Sequence, residues 1–421
     1  MPARGTAGTM LAASGLTVLG AIAPFLLGAQ AVLLQRELGV GAAQPGLAVS
    51  VFFATAAVVT IAGGRRIIAL GRPGGLLLSG LLVGLGGLGL AALAHSWSQV
   101  ALAMVVLGAA NAACQATSNA AVATALPQGR RGLGFGIKQS AVPAAIMLGG
   151  LAVPTTTVLL GWRSTFVIIG VVGLLVAAGG AAALRRTPAP GPAEPSAEEA
   201  GPARPDRAPL GPLLLCGAGI TLASAGANFI GAYLATWAHD VGLTVGQAGL
   251  LMAVGSGSSV AMRILLGHRA DGRHGGNLSG IAVQMLGGAA CLVVIGAVPQ
   301  PWAVVVFGVL AFAVGWSWPG LLLYAVSRVG RDAPAQATSV IQSGAFLGGA
   351  VGPALFGLII DTAGFRTAWW VAAGAFVLAA AVTLGARAGF RRDLRRRPPA
   401  SEFGYGGGRE RPRFTVGGDR A

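Results

Sequence analysis

The sequence predicts an all-α membrane protein with twelve transmembrane helices in two pseudo-symmetric six-helix bundles. Three observations carry this. Only 10% of the residues are charged against 54% hydrophobic. Twelve apolar stretches run along the chain, and the second six repeat the first at a constant offset of 203 residues.

Water-soluble domains carry roughly 25% charged residues. The low charge and a mean hydropathy of +0.73 exclude a soluble globular chain and an intrinsically disordered one. The net charge of +16 suggests nucleic acid at first sight, but the placement of the charges matters more than their sum. Cys114, Cys216 and Cys291 lie scattered in apolar stretches and make neither a disulfide framework nor a zinc site.

A bilayer core needs about 20 apolar residues per helix. The first half supplies Met10–Leu34, Gly46–Ile61, Gly75–Ala94, Val100–Ala125, Gly134–Leu160 and Ser164–Leu184. The second supplies Leu213–Trp237, Gly249–Leu266, Leu278–Val298, Pro301–Val326, Ala337–Ile360 and Thr367–Leu384. With eleven spans behind it and only Arg4 in front, the first reads as a retained helix rather than a signal peptide. The chain thus divides into a bundle over 1–184, a linker over 185–212, a bundle over 213–386 and a basic tail over 387–421. The linker is rich in Pro and charge and reads as disordered.

If the N-terminus is cytoplasmic, 24 of the 29 Lys and Arg residues fall inside and only Arg36, Arg163 and Arg366 fall outside. The positive-inside rule then places both termini in the cytoplasm of a multi-pass protein of the cell membrane. The tail contacts anionic lipid headgroups or simply holds topology. Nucleic acid is not expected as a partner; the partners expected are the bilayer and a small solute.

The repeat is specific. Gly39, Gln44, Gly46 and Leu47 match Gly242, Gln247, Gly249 and Leu250, while Gln139-Ser140 matches Gln342-Ser343. Gly161 and Arg163 match Gly364 and Arg366. Two repeated bundles with a site between them are how secondary transporters are built.

These features resemble the major facilitator superfamily over essentially the whole length. Gly161-Trp162-Arg163 with Phe166 resembles its signature after helix 5, and Gly349 to Pro353 with Gly357 resembles its glycine- and proline-rich helix 11. Gly267 to Arg273 resembles its G-x-x-x-D-R-x-G gating loop, with Gly272 where arginine is usual. The first half keeps Gly64, Gly71 and Arg72 but has Ile68 in place of the acid. The resemblance therefore implies gating roles for Gly64, Arg72, Gly267, Asp271 and Arg273. It also implies a monomer.

Ionisable residues within spans are functional candidates. Every Asp, Glu and His lies in a loop, linker, tail or span end, so the usual proton-coupling carboxylate is absent. Arg263 and Lys138 remain. Arg263, Gly267 and Asp271 resemble a helix 8 pattern of monocarboxylate-type carriers, in which the arginine is implied to bind the substrate carboxylate; Ser259 stands where that pattern has an acid. A guanidinium offers a planar anion a bidentate fork. Arg263 either does this or snorkels to the interface. Lys138 is a second cation for the substrate, a lysine able to titrate, or a headgroup contact.

Asn111, Gln115 and Asn119 share one face of helix 4, as do Thr221, Ser224 and Asn228 on helix 7 with Tyr233 beyond. They read as a hydrogen-bonding cavity wall or as interhelical contacts. Trp316, Trp318 and Tyr324 are candidate walls from helix 10, and Gln30, Gln139 and Gln342 are weaker polar candidates. Gly84-x-Gly86-x-x-Gly89 lies inside an apolar span, so it reads as helix packing, not as a dinucleotide site. No Walker A, H-E-x-x-H or G-x-S-x-G is present, which argues against an enzyme and against a cofactor.

The expectation is a secondary transporter moving a small solute, an organic anion, by alternating access. The candidate binding residues are Arg263, Lys138, Asn111, Gln115, Asn119, Asn228, Tyr233 and Trp318, with a proton as candidate coupling ion. The alternative is efflux of a drug or metabolite by proton antiport.

Overall fold

The computed structural model describes residues 2–41, 43–125, 137–186, 207–271, 277–331 and 333–397. The first bundle comprises α1 (Pro2–Ala29), α2 (Ala43–Ala69), α3 (Gly71–Leu93), α4 (Trp97–Ala125), α5 (Ile137–Leu160) and α6 (Trp162–Arg186). The second comprises α7 (Leu210–Asp240), α8 (Val245–Asp271), α9 (Asn277–Ala297), α10 (Pro301–Val329), α11 (334–363) and α12 (365–396). Eleven continuous helices among the described residues are long and apolar enough to cross a membrane, and the last one contains both α11 and α12.

The two final helices are separated at Gly364, with φ 80° and ψ 167°. Its repeat counterpart Gly161, between α5 and α6, has φ 81° and ψ 158°. Both conformations lie in a region essentially reserved for glycine. Gly39 and Gly242, another repeat pair, also take positive φ, at 64° and 111°. The repeat in sequence is therefore a repeat in backbone.

The arginine after each of these turns ties its bundle together. Arg163 donates through Nη1 to Glu37 and through Nη2 to the Ala94 carbonyl at 2.7 Å, and stacks 4.4 Å from the Trp162 ring centroid. Trp162 Nε1 donates to the other Glu37 oxygen at 2.5 Å. Arg366 donates through Nε to the Gly296 carbonyl at 3.2 Å, the corresponding end of α9.

Several elements differ from the sequence expectation. α1 breaks at Gln30 and resumes as Ala31–Leu38. The Gln30 amide there donates to Thr165 of α6 at 3.0 Å, so this candidate is a bundle tie. α12 runs on through Arg396, about three turns beyond Leu384. Phe390 is buried there, Pro212 packs against Gly389, and Asp393 accepts from Arg331 at 2.8 Å and Arg397 at 2.6 Å. The stretch expected as linker is helical up to Arg186 and from Leu210; residues 187–206 and 398–421 lie outside the described residues.

The bundles meet through α1 with α7, α2 with α11 and α5 with α8. Closest approach is at the face away from the chain termini, and repeat counterparts again meet there. A Cβ on Gly28 would stand 2.6 Å from the carbonyl oxygen of its own counterpart, Gly231. A Cβ on Gly249 would stand 2.8 Å from the Gly150 carbonyl, and one on Gly46 would strike the Tyr233 hydroxyl beside the carbonyl of Pro353, the counterpart of Gly150. Arg36 Nη2 and His239 Nε2, counterparts of each other, lie 3.0 Å apart across this seam. Small residues at such crossings let backbones approach closely.

Candidate functional site

Beneath that closed face, a cavity lies between the bundles. The first bundle lines it with Phe25 of α1, Phe53 of α2, Asn111 and Gln115 of α4 and Gln139 of α5. The second contributes Asn228 of α7, Arg263 of α8, Trp316 and Trp318 of α10, and Gln342 and Phe346 of α11. Among the described residues, no acidic one lines it.

Arg263 is 2% exposed. Its position follows from α10. That helix widens into a π-turn over Ala311–Gly315 and breaks at Trp316, with φ −119° and ψ 13°. The next segment begins at Trp318, and Pro319 at its second position has no N–H to carry the ladder back across the break. The freed Trp316 carbonyl accepts from Arg263 Nη2 at 2.6 Å and Nε at 3.2 Å, and from Ser259 Oγ at 3.4 Å. Arg263 Nη1 donates to the Gln139 carbonyl across the bundle interface. Three of its five N–H groups are thereby committed to carbonyls, leaving two. Carbonyl dipoles orient a guanidinium without neutralising its charge. Ser259, one turn before Arg263, shares the same carbonyl and brings no charge.

Asn111, Gln115, Asn228 and Trp318 stand with Arg263 on the wall. Gln139 and Gln342, the repeated pair, line it from opposite bundles. Lys138, 4% exposed, is not on the wall; its Nζ donates to Gln115 Oε1 at 2.8 Å and so turns that amide's NH₂ toward other partners. Asn119 is exposed further along α4 and outside the lining. Tyr233 is also elsewhere: its hydroxyl donates to the Pro353 carbonyl at 3.1 Å between Gly46 and Gly357, within the closed seam. Tyr324 likewise ties α10 to α8, donating to the Ala270 carbonyl at 3.4 Å.

Of the gating candidates, Gly64 lies within α2 with open space around it, and Arg72 is exposed at the start of α3 with no ion pair among the described residues. Gly267 lies within α8, Asp271 ends it, and Arg273 falls outside the described residues. Sequence reasoning missed the Trp316 carbonyl, for which Pro319 in mid-span was the available signal. It also missed the walls made by Phe25, Phe53 and Phe346, because an aromatic in an apolar span carries no mark of which way it faces.

The family profile of the Major Facilitator Superfamily matches residues 6–343 and 216–415. Among solved structures, a bacterial homologue of the human lysosomal transporter Spinster, inward-facing and occupied, superposes with a TM-score of 0.69 at 18% identity. The match covers 93% of this chain and 98% of that one. The inward-facing and unoccupied form gives 0.67 at 17% identity, covering 92% and 98%. At these identities the likeness is one of fold. No curated protein sequence matches the chain.

Proposed function

This chain belongs to the Major Facilitator Superfamily, and on that footing we propose that it carries a small organic anion by alternating access. It is a multi-pass membrane transporter of small solutes and not an enzyme. One observation carries the anion reading: the Arg263 guanidinium is buried on the cavity wall, held by carbonyls, with no acid lining the cavity among the described residues. Burying an uncompensated charge costs several kcal/mol, and an anionic ligand offsets that cost. The two uncommitted N–H groups are its contact, and the Gln115 amide is a neighbouring donor.

The superposition on inward-facing structures and the arginine distribution support one orientation: termini and linker cytoplasmic, glycine seam outside, in the cell membrane. Rocking the bundles about the seam opens the cavity to either side. A monomer suffices, since the site is built within one chain. With no carboxylate in mid-span, a proton is the coupling ion only if Lys138 or a span-end group serves. The aromatic walls favour a second reading, export of an apolar compound.

The two readings separate in a thermal-shift screen of carboxylates against neutral amphipathic compounds, because any native-state binder raises apparent stability. Carboxylates should stabilise the parent and lose that effect in Arg263→Met. Equal stabilisation of both proteins, or by neutral compounds alone, supports the export reading.

A further inference from the structure

The anion site has acceptors as well as donors. Asn228, 7% exposed, donates through Nδ2 to the Ser224 carbonyl at 2.9 Å, which fixes the amide and leaves Oδ1 as the acceptor. That oxygen is buried and has no partner among the described residues. Asn111, 2% exposed, presents a second unpartnered amide oxygen from the opposite bundle. Both residues line the same cavity as Arg263. A buried acceptor left unsatisfied costs roughly 1–3 kcal/mol, so native structures that keep one call for an explanation. A bound group supplying O–H or N–H is one.

We infer that the transported anion also carries an uncharged hydrogen-bond donor on an aromatic or similarly apolar body, its acidic end at Arg263 and its donor on the asparagine carbonyls. This rests on the anion reading above. Among the described residues no acid lines the cavity, which selects an uncharged donor, since a substrate ammonium would stand unbalanced there beside the guanidinium. The body lies against Phe53, Phe346, Trp316 and Trp318. A hydroxylated aryl-alkanoate is the simplest member of the class, and a zwitterionic amino acid lies outside it.

Titration calorimetry on the purified full chain with four compounds tests this: 3-phenylpropionate, 3-phenyllactate, phenylalanine and 3-phenylpropanol. The expected order puts 3-phenyllactate first, roughly three- to tenfold tighter than 3-phenylpropionate for one added hydrogen bond, with phenylalanine and the alcohol weakest. Asn228→Ala should remove the hydroxyl preference while 3-phenylpropionate still binds; Asn228→Ser serves if the alanine variant fails to fold. Equal affinity of the two acids for the parent, or phenylalanine binding best, overturns the inference and leaves the anion reading standing. If neither acid binds, the anion reading falls and this inference with it.

Discussion

A buried cation must be oriented by something, and Arg263 and Lys138 are held differently. Arg263 is held by backbone carbonyls and stays unbalanced, whereas Lys138 is held by one side chain, Gln115. Removing a sole partner from a buried charge costs more than losing an average hydrogen bond, at least about 1–3 kcal/mol. Gln115→Leu should therefore lower the melting temperature of the purified protein, and adding Lys138→Met should restore most of it. A single and double variant of equal stability would show that Lys138 does not depend on that amide. Both cations were legible in the sequence because a charge in an apolar run stands out. Which of them reaches the cavity was not, since that depends on the Trp316 carbonyl freed by a local break in α10. Tyr233, expected on α7 beyond the face of Asn228, does not reach the cavity: its hydroxyl lies in a slot made by glycines from α2 and α11.

Among elements, the turns that join α5 to α6 and α11 to α12 are the most sharply constrained. Gly161→Ala or Gly364→Ala forces a side chain onto a backbone essentially reserved for glycine, at a cost of about 1–3 kcal/mol each, readable as a drop in thermal stability. Beside the first turn, the Arg163 guanidinium holds the Glu37 carboxyl below its ordinary range, with a smaller contribution from the Trp162 hydrogen bond. A group whose folded pKa is depressed stabilises the fold above its unfolded pKa and loses that contribution as pH falls through the folded value. An acid titration of thermal stability should thus show a carboxylate-range loss that Glu37→Gln reduces; an unchanged titration would show that this contact adds nothing. The spans were legible because length and hydropathy suffice to define a crossing, and the constant offset revealed their pairing. The extension of α12 to Arg396 was not. Its charge and polarity read as tail, and only burial of Phe390 and the Arg331–Asp393–Arg397 bridges make it helix.

At the scale of the whole molecule, the two bundles are joined along a seam where residues meet their own repeat counterparts. Gly28 meets Gly231 and Arg36 meets His239. His239 Nδ1 lies 2.8 Å from the Leu243 carbonyl, to which it can only donate, so Nε2 is the acceptor for Arg36. His239→Lys places like charges across the seam, whereas His239→Gln keeps an acceptor. Spin labels at Ser98→Cys and Thr362→Cys, exposed positions on opposite bundles, should report a wider separation at this face in the lysine variant than in the parent or the glutamine variant. Equal distances in all three would remove this contact from the closure. We propose Arg263 as the group that recognises the anion these bundles carry. The most direct measurement is solute counterflow in proteoliposomes loaded with unlabelled 3-phenyllactate and presented with the labelled acid. The parent should accumulate label transiently, Arg263→Lys should retain a small fraction because an ammonium cannot form the two-pronged contact, and Arg263→Ala should give none. Accumulation by Arg263→Ala at the parental rate would contradict the account.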